Sequence, residues 1–200
     1  MTTNAVQIQQ AREQLAKMSR LAYSRGLSSG VSGNFSARVP GCPNMVLIKA
    51  SGVCFGMAEA EDFVLVDLDG NLLEMDKKPS KEVHFHCGIY RIRQEVQSVL
   101  HGHSAYATAY GTKKEKLPAV TAAAQALIKR VGIVDFAPAG SQELAQMVIR
   151  TFADDPEMNA CILKQHGFIT TGKNTAAAFY MGDVLEDNAR TLYYMDTMGM

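Results

Sequence analysis

Residues 98–111, SVLHGHSAYATAYG, place two of the chain's five histidines at the end of an apolar run. The run is predicted to be a strand, and His101 and His103 are two residues apart, so both imidazoles point to the same face if the strand continues that far. Ser104 is predicted to be the N-cap of the helix that follows. The spacing alone does not decide between metal ligands and ordinary polar residues that end a buried strand. A third ligand elsewhere in the chain could decide it.

The composition predicts one globular domain over residues 1–200, because 200 residues with 47% hydrophobic side chains are enough for a substantial core. Lys plus Arg and Asp plus Glu number 20 each, which argues against nucleic acid or an anionic membrane as a partner. The apolar stretches are shorter than a membrane span, and the polar first residues do not resemble a secretory signal. The four scattered cysteines indicate free thiols, so we expect a cytoplasmic protein.

Hydrophobic periodicity predicts the elements of the chain. The first half predicts an amphipathic helix that ends near Gly26, strands at 35–39 and 45–49, and a hairpin at 63–74. The second half predicts helices that begin at Ser80, Ser104, Ser141 and Asn174, a further helix at 119–129, strands at 96–101 and 131–136, and two strands around the turn at His166-Gly167. This order predicts an α/β fold in which helices cover a mostly antiparallel sheet.

His166 is the natural third partner of the two histidines at the strand end. It lies at a tight turn after an apolar run, and turns at strand ends are where folds display functional groups. Three histidines leave one coordination position open, which is the pattern of catalytic rather than structural zinc sites. His84 and His86 fall inside a predicted helix, where we expect packing or hydrogen bonding rather than metal binding.

Glu82 and three small-residue segments carry the remaining candidate chemistry. Glu82 falls in the first turn of the predicted helix, where it is either a solvated partner of the helix dipole or a general acid/base held near a metal. Ser32-Gly33-Asn34, Ser51-Gly52 and Ser80-Lys81 could surround an anion, because glycine lets the backbone approach and free amides donate to oxygen, while Lys81 or Lys49 adds positive charge. No Walker or dinucleotide-binding pattern is present.

Taken in order, these motifs resemble the class II aldolase/adducin-head family. The matching segments are SGN-S (32–36), IKASG (48–52), KPSKE (78–82) with His86, HGHS (101–104) and QHG (165–167). The resemblance implies a three-layer α/β/α fold with a central, mostly antiparallel sheet, and a homotetramer with active sites at subunit interfaces. It implies Zn²⁺ or another divalent metal on His101, His103 and His166, a catalytic Glu82, and a substrate phosphate bound by Gly33, Asn34, Ser51, Gly52, Ser80 and Lys81.

The activity that the resemblance implies is retro-aldol cleavage of a phosphorylated ketose to dihydroxyacetone phosphate and an aldehyde. A zinc-stabilised enediolate would form, with Glu82 as acid/base. Alternatives within the family are 4-epimerisation of a pentulose phosphate and dehydration or decarboxylation of a ketose phosphate, while the intact histidines argue against a non-catalytic module like the adducin head. Lys49 favours an epimerase, and a glutamate at position 82 favours an aldolase or dehydratase.

The chain departs from the family pattern at two places. Lys81 stands where the family usually has a second serine, so it could reach a phosphate or mark a different anionic group. The segment LPAVTAAAQ (117–125) lacks the tyrosine that serves as an acid in an aldolase of the family. Tyr193 or Tyr194 near the end of the chain could take its place. The sequence leaves open which tyrosine, if any, is the second acid.

Overall fold

A computed structural model describes residues 3–73 and 77–199 and contains a seven-stranded sheet. The strands, in chain order, are β1 Asn34–Val39, β2 Cys42–Lys49, β3 Phe63–Asp67, β4 Ser98–Gly102, β5 Arg130–Val134, β6 Met158–Leu163 and β7 Gly167–Gly172. Their order in the sheet is β3-β2-β1-β4-β7-β6-β5. Neighbouring strands are antiparallel except β5 and β6, which are parallel.

Within the described residues, six α-helices accompany the sheet: α1 Thr3–Ser24, α2 Val83–Ile92, α3 Ala105–Lys113, α4 Ala122–Leu127, α5 Gln142–Asp154 and α6 Thr175–Thr197. Two hydrophobic clusters show on which face each helix packs. One cluster joins α1, α3, α4 and α6 to one face of the sheet, and the other joins α2 and α5 to the opposite face. The fold is therefore the expected three-layer α/β arrangement with a mostly antiparallel sheet.

Alternation along the strands explains why both faces are covered. Leu100 faces the first cluster and Val99 the second, and every residue of β1 and β4 is buried. β4 is apolar at Val99 and Leu100, whereas β1 also buries the polar side chains of Asn34, Ser36 and Arg38. None of the helices in the described parts of the chain is long and apolar enough to cross a bilayer.

Most predicted helix starts lie where the capping residues indicated. Ser141 accepts a hydrogen bond from the Leu144 amide, and Asn174 accepts one from the Ala177 amide. The start predicted at Ser80 is wrong, because α2 begins at Val83 with Glu82 as its N-cap residue. Of the hairpin predicted at 63–74, the structure shows β3 and one isolated bridge between Val66 and Leu72, and position 74 lies outside the described residues.

The sheet brings distant motifs to one edge. Asn34 at the start of β1 pairs with His101 near the end of β4, and Gly102 pairs with Phe168 at the start of β7. Gly167 is required here, because a Cβ at this position would lie 2.2 Å from the Gly102 carbonyl oxygen. The SGN-S, HGHS and QHG segments therefore meet at one end of the three central strands.

Candidate metal centre and phosphate cleft

Three histidines converge at this edge of the sheet. His101 and His103 come from the end of β4, and His166 comes from the turn between β6 and β7. Their ring centroids are 4.6–4.9 Å apart, and each pair of rings is inclined by 62–83°. One donor atom of each histidine and one carboxylate oxygen of Glu82 all lie within 4.8 Å of one another. The structure thus brings together the three predicted ligands and the predicted acid/base.

The hydrogen bonding of His101 determines which of its nitrogens faces the cluster. Its Nδ1 lies 2.8 Å from the Phe168 carbonyl oxygen, which can only accept, so Nδ1 carries the proton and Nε2 presents a lone pair. A carbonyl that fixes the second ring nitrogen is the usual outer-shell partner of a metal-binding histidine. The tautomer of His101 therefore suits metal ligation through Nε2.

His101 Nε2 faces the Glu82 carboxylate, which can only accept, and the Nε2 atom of His103, which accepts or donates according to its tautomer. The Nε2 atom of His103 is 2.9 Å away, and Glu82 Oε2 is 3.3 Å away. With His101 Nε2 unprotonated, a proton or a metal ion must offset these converging lone pairs. Two nitrogens bound to one tetrahedral zinc lie about 3.4 Å apart, so the 2.9 Å between the two Nε2 atoms would widen by about 0.5 Å on metal binding. The donor set therefore fits a divalent metal.

Burial keeps His103 neutral, which is the state that binds metal. Desolvation is the largest cause that lowers the pKa of His103 to about 3, and a proton on His101 or His166 would act in the same direction. The Nδ1 atom of His166 is buried and has no hydrogen-bond partner within the described chain. A ligand histidine must present an unprotonated nitrogen, so both side chains suit the proposed role.

Glu82 joins the histidines to the body of the protein. Its side chain is only 4% exposed, with Oε1 lying 3.2 Å from His166 Nε2, and Oε2 accepts a hydrogen bond of 2.8 Å from Asn34 Nδ2. Burial alone would raise the pKa of Glu82. When a proton rather than a metal ion occupies the cluster, the positive charge of His101 and hydrogen bonds from His101, His166 and Asn34 outweigh that effect and hold the pKa well below its usual range. Glu82 is therefore a buried carboxylate, so the solvated alternative does not apply.

A cleft of about 320 Å³ adjoins Glu82 and contains the predicted phosphate-binding segments. A hydrogen bond from the Ser51 amide to the Lys78 carbonyl and one from the Ser80 amide to the Lys49 carbonyl bring IKASG and KPSKE together. The residues that line the cleft are Val31, Gly33, Asn34, Lys49, Ala50, Ser51, Gly52, Ser80, Lys81 and Glu82. All six predicted phosphate-binding residues are among them.

Lys49 is a buried cation on the wall of this cleft. It is 2% exposed, and Nζ donates to the carbonyl oxygens of Val31 and Val53 and lies 5.4 Å from the centre of the Phe55 ring. An ammonium group has three N–H donors, so one remains. Within residues 3–73 and 77–199, no carboxylate lies within salt-bridge distance of Lys49 Nζ. Burial lowers the pKa of Lys49 to about 8, against the opposing charges of Cys54, Asp62 and Glu82.

Lys81 and Asn34 differ in how free their side chains are. The Lys81 side chain is exposed and its stem packs along Gly140, where an added Cβ would lie 3.0 Å from Lys81 Cδ. No carboxylate in the described segments pairs with it. Both ends of the Asn34 amide are engaged, with Nδ2 on Glu82 and Oδ1 on His86. Asn34 lines the cleft, but its side chain is committed to Glu82 and His86, so any phosphate contact falls to its neighbours.

The helix that follows HGHS is capped by a residue that sequence reasoning missed. Ser104 holds the N-cap position as predicted, but its hydroxyl donates to Glu186 on α6 instead of capping the helix. The Glu186 carboxylate accepts hydrogen bonds from the Tyr106 and Ala107 amides. Only the packing of α6 against α3 places Glu186 there, so no local sequence signal could have found it.

Tyr193 and Tyr194 do not line this cleft. They pack with Tyr106 of α3, with ring centroids 5.5 and 6.4 Å from the Tyr106 ring, and each keeps 50% of its surface exposed. A larger cavity of about 770 Å³ lies at the opposite end of the sheet, beside Val96 and Gly172, away from the histidines. The chemistry of the site is therefore concentrated in the smaller cleft.

Comparison with known proteins agrees with this arrangement. The family model for the Class II Aldolase and Adducin N-terminal domain matches residues 13–193. An L-fuculose phosphate aldolase of Methanococcus maripaludis is 35% identical over 91% of this chain and 96% of its own length. A 3-oxo-tetronate 4-phosphate decarboxylase of Pectobacterium atrosepticum is 31% identical over 94% of this chain and 85% of its own. The L-fuculose-1-phosphate aldolase structure from Thermus thermophilus superposes with a TM-score of 0.79 at 26% identity, covering 95% of each chain.

Proposed function

Since the chain belongs to the class II aldolase and adducin N-terminal domain family, we propose that it is a metal-dependent aldolase that cleaves a phosphorylated ketose to dihydroxyacetone phosphate and an aldehyde. The observation that carries the proposal is the position of Glu82, whose carboxylate lies between the three histidines and the cleft that contains Lys49. An acid/base between a metal site and an anion site is what aldol chemistry on a phosphorylated substrate requires.

His101, His103 and His166 are the residues that would hold the divalent ion, with Zn²⁺ as the first candidate. The chemistry that such an ion supplies is electrostatic, since it draws electron density from a carbonyl and the adjacent hydroxyl oxygen. The part of the chain that holds the substrate phosphate is the cleft, where Lys49 supplies a buried positive charge and Gly52, with no atom within 4 Å of its Cβ position, leaves room for close approach to the backbone. Gly33, Ser51, Gly52, Ser80 and Lys81 are the proposed phosphate contacts.

Glu82 moves the proton of the reaction. Retro-aldol cleavage breaks one carbon–carbon bond, takes a proton from the hydroxyl on the aldehyde side and adds one to the carbon on the dihydroxyacetone phosphate side. Glu82 is the buried carboxylate that touches both the histidine cluster and the cleft, so it would deliver that proton to carbon. The low pKa of the resting carboxylate belongs to the contacts with His101 and His166, and the substrate would replace those contacts.

Release of dihydroxyacetone phosphate tests the activity. The zinc-loaded protein is incubated with a panel of ketose 1-phosphates, and dihydroxyacetone phosphate is measured through its reduction by glycerol-3-phosphate dehydrogenase, which consumes NADH. We expect release from at least one member of the panel and none from the chelator-treated protein. A protein with metal bound that releases dihydroxyacetone phosphate from no member of the panel contradicts the proposal.

Decarboxylation of a phosphorylated 3-keto acid is the second candidate. Lys81 favours it, because an exposed cation without a carboxylate partner at the rim of the cleft could bind a substrate carboxylate in addition to the phosphate. The relative from Pectobacterium atrosepticum is named for a reaction of this kind. Carbon dioxide release from a 3-oxo acid 4-phosphate, without dihydroxyacetone phosphate from the ketose panel, would select this candidate. A product with an unchanged carbon skeleton would select epimerisation or dehydration.

We also propose a homotetramer with active sites at subunit interfaces. The exposed aromatic cluster of Tyr106, Tyr193 and Tyr194 supports it, since large exposed aromatic patches are typical of interaction surfaces. Light scattering coupled to gel filtration measures the assembly, and a monomer at assay concentration contradicts this part of the proposal.

A further inference from the structure

A buried row of polar side chains extends from Glu82 into the core between α2 and β1. Glu82, His86 and Tyr90 are four residues apart and share one face of the helix, and Asn34 and Ser36 are two apart and share one face of the strand. Four helical residues advance about 6 Å and two strand residues about 6.6 Å. The two rows therefore stay in register, and their side chains interleave.

Hydrogen bonds connect all five side chains in a single line. Asn34 Nδ2 lies 2.8 Å from Glu82 Oε2, and Asn34 Oδ1 contacts His86 Nε2. On the other side of the imidazole, Ser36 Oγ lies 2.7 Å from His86 Nδ1 and 2.8 Å from the Tyr90 hydroxyl. His86 and Ser36 have no solvent exposure, and Tyr90 is 1% exposed, so water does not compete for these bonds.

The donor and acceptor roles along the line follow from its two ends. The Glu82 carboxylate can only accept, so the Asn34 amide turns its NH₂ group toward Glu82 and its carbonyl toward His86. His86 must then donate from Nε2. A fully buried imidazole is neutral and has one N–H, so Nδ1 accepts the Ser36 proton. Ser36 has no second proton, so Tyr90 donates to it. Every donor along the line thus points toward Glu82.

We propose that His86, Ser36 and Tyr90 are positioning residues that fix the Asn34 amide with its NH₂ group on Glu82, and so hold the Glu82 carboxylate turned toward the histidine cluster. The proposal rests on the acid/base role of Glu82 proposed above. The key element is the tautomer of His86. If Nδ1 carried the proton, Nε2 would accept, the Asn34 amide would rotate, and its carbonyl oxygen would face the Glu82 carboxylate.

The alternative is that these residues are polar only to fill space between α2 and β1. Packing alone requires no single direction of donation, and it leaves the tautomer of His86 without consequence for Glu82. Buried polar groups are costly unless each has a hydrogen-bond partner. In this row every group has a partner, and every hydrogen bond donates toward Glu82. The directed chain therefore favours positioning over filling.

The tautomer of His86 is measured by proton–nitrogen NMR of the zinc-loaded protein labelled at histidine. The signal of His86 is identified by its loss in His86→Gln. In the unchanged protein we expect Nε2 to be protonated and Nδ1 to be unprotonated. In Ser36→Ala, where nothing donates to Nδ1, we expect a mixture of the two tautomers. An Nδ1-protonated His86 in the unchanged protein overturns the proposal.

A kinetic test separates positioning from packing. Exchange of deuterium from heavy water into dihydroxyacetone phosphate reports proton transfer by Glu82 and needs no identified ketose. Ser36→Ala should lower the rate constant of exchange about 5- to 50-fold, with the concentration for half-maximal exchange and the zinc content unchanged. Tyr90→Phe, one bond further from Glu82, should lower it about 2- to 5-fold.

Ser98→Ala is the matched control. Ser98 is as buried as Ser36, lies on the neighbouring strand β4, and donates 2.6 Å to the Ser36 carbonyl oxygen without joining the chain of side chains. It should lower the melting temperature about as much as Ser36→Ala and leave the exchange rate unchanged. Equal loss of exchange in both variants, or no loss in Ser36→Ala, means that the role is structural and overturns the proposal.

The two proposals fail separately. If zinc-loaded unchanged protein exchanges no deuterium into dihydroxyacetone phosphate, the proposed aldolase function fails. The tautomer of His86 and its response to Ser36→Ala then still decide whether the chain orients Asn34. If exchange is present and insensitive to Ser36→Ala and Tyr90→Phe, the aldolase function stands and the positioning role fails.

Discussion

His86 lies on one side of Glu82 and the other three site histidines lie on the other side, and hydrogen bonding separates them. His86 lies on α2, where both ring nitrogens have protein partners, Ser36 and Asn34. His101, His103 and His166 lie on the other side, where His101 turns a lone pair toward the Glu82 carboxylate and His166 Nδ1 has no partner in the described chain. One side is satisfied by the protein itself, and the other needs a cation.

The difference shows which property identifies a ligand histidine. Burial is the largest cause that lowers the pKa of His86 and of His103, in each case to about 3, so burial and pKa do not separate the two groups. The directions of the hydrogen bonds do separate them. Acceptor atoms that converge without a donor mark a cation site, whereas a ring with both nitrogens paired is part of the scaffold.

The largest effect is expected from the loss of one of the three histidines that are proposed to bind the metal. His103→Ala removes one of the three nitrogens that face the proposed metal, so zinc binding and aldolase activity should be lost together. Zinc content is measured by atomic emission after gel filtration, and activity by release of dihydroxyacetone phosphate. We expect no stoichiometric zinc in this variant.

His86→Gln is the matched control on the satisfied side, because it also removes an imidazole within the same region of the fold. It should keep one zinc per chain, although Glu82 would be less well oriented. The comparison is broken if His86→Gln loses zinc, or if His103→Ala keeps both zinc and activity.

Glu82→Gln alters the residue that joins the two sides. The amide of glutamine has nearly the shape of the carboxylate but cannot accept a proton, so the metal should remain bound while the rate falls about 10²- to 10⁴-fold. Parallel measurements of zinc content and kcat check this. A fully active Glu82→Gln protein means that another group moves the proton.

The sequence predicts the three-histidine cluster better than it predicts the hydrogen-bonded row around His86. Two histidines at i and i+2 and a third at a tight turn are a pattern of residue types, and the strands only have to bring them to one edge. The chain from Glu82 to Tyr90 depends instead on how α2 lies on β1, so a reading of one element at a time misses Ser36 and Tyr90. The spacing of Glu82, His86 and Tyr90 at four residues is the only local sign.

Capping residues show the same limit. Ser141 and Asn174 cap helices from within the adjacent sequence, and the sequence predicts both. Glu186 caps α3 from a helix about 80 residues away in sequence. For α2, the N-cap residue is Glu82 and not the predicted Ser80. Contacts between neighbours in sequence are predictable from residue types, whereas contacts across the fold require the packing.

Lys49→Met should have a smaller effect, on substrate affinity, than His103→Ala and Glu82→Gln have on the reaction rate. A charged hydrogen bond of about 1.5–3 kcal/mol is lost, so KM for a phosphorylated substrate, and inhibition by inorganic phosphate, should weaken about 10- to 100-fold with kcat altered less. The unchanged protein should show the same loss of affinity as the pH rises through about 8, where Lys49 releases its proton. A KM that is insensitive to both changes removes Lys49 from the phosphate site.

The same variant should be more stable than the unchanged protein. The pKa of Lys49 falls from 10.5 to about 8 on folding, so between these pH values the unfolded chain holds a proton that the folded chain has released. The free energy of unfolding therefore rises with pH across this window. This rise should be absent in Lys49→Met. At pH 7, below both values, the substitution should stabilise by up to about 3 kcal/mol. Urea unfolding at pH 7 and pH 10 measures both effects.

The smallest expected effect concerns the turn that carries His166. Gln165 has φ of 60°, a left-handed conformation that costs an L-residue about 1–2 kcal/mol, and the turn is held by hydrogen bonds from His166 N to Leu163 O and from Gln165 N to Thr112 Oγ1. The α2 segment that carries His86 has no residue with positive φ. Of these two segments, only the one that carries the proposed ligand His166 has a strained residue.

Gln165→Gly should relieve that strain, with part of the gain lost to the greater freedom of glycine in the unfolded chain. We expect a net stabilisation of about 0.5–1 kcal/mol, which corresponds to a rise in melting temperature of about 1–4 °C for a chain of this size. The backbone hydrogen bonds remain, so zinc affinity should be unchanged. A destabilised protein would mean that the Gln165 side chain makes a contact worth more than the strain, and weaker zinc binding would mean that the left-handed residue is needed to aim His166.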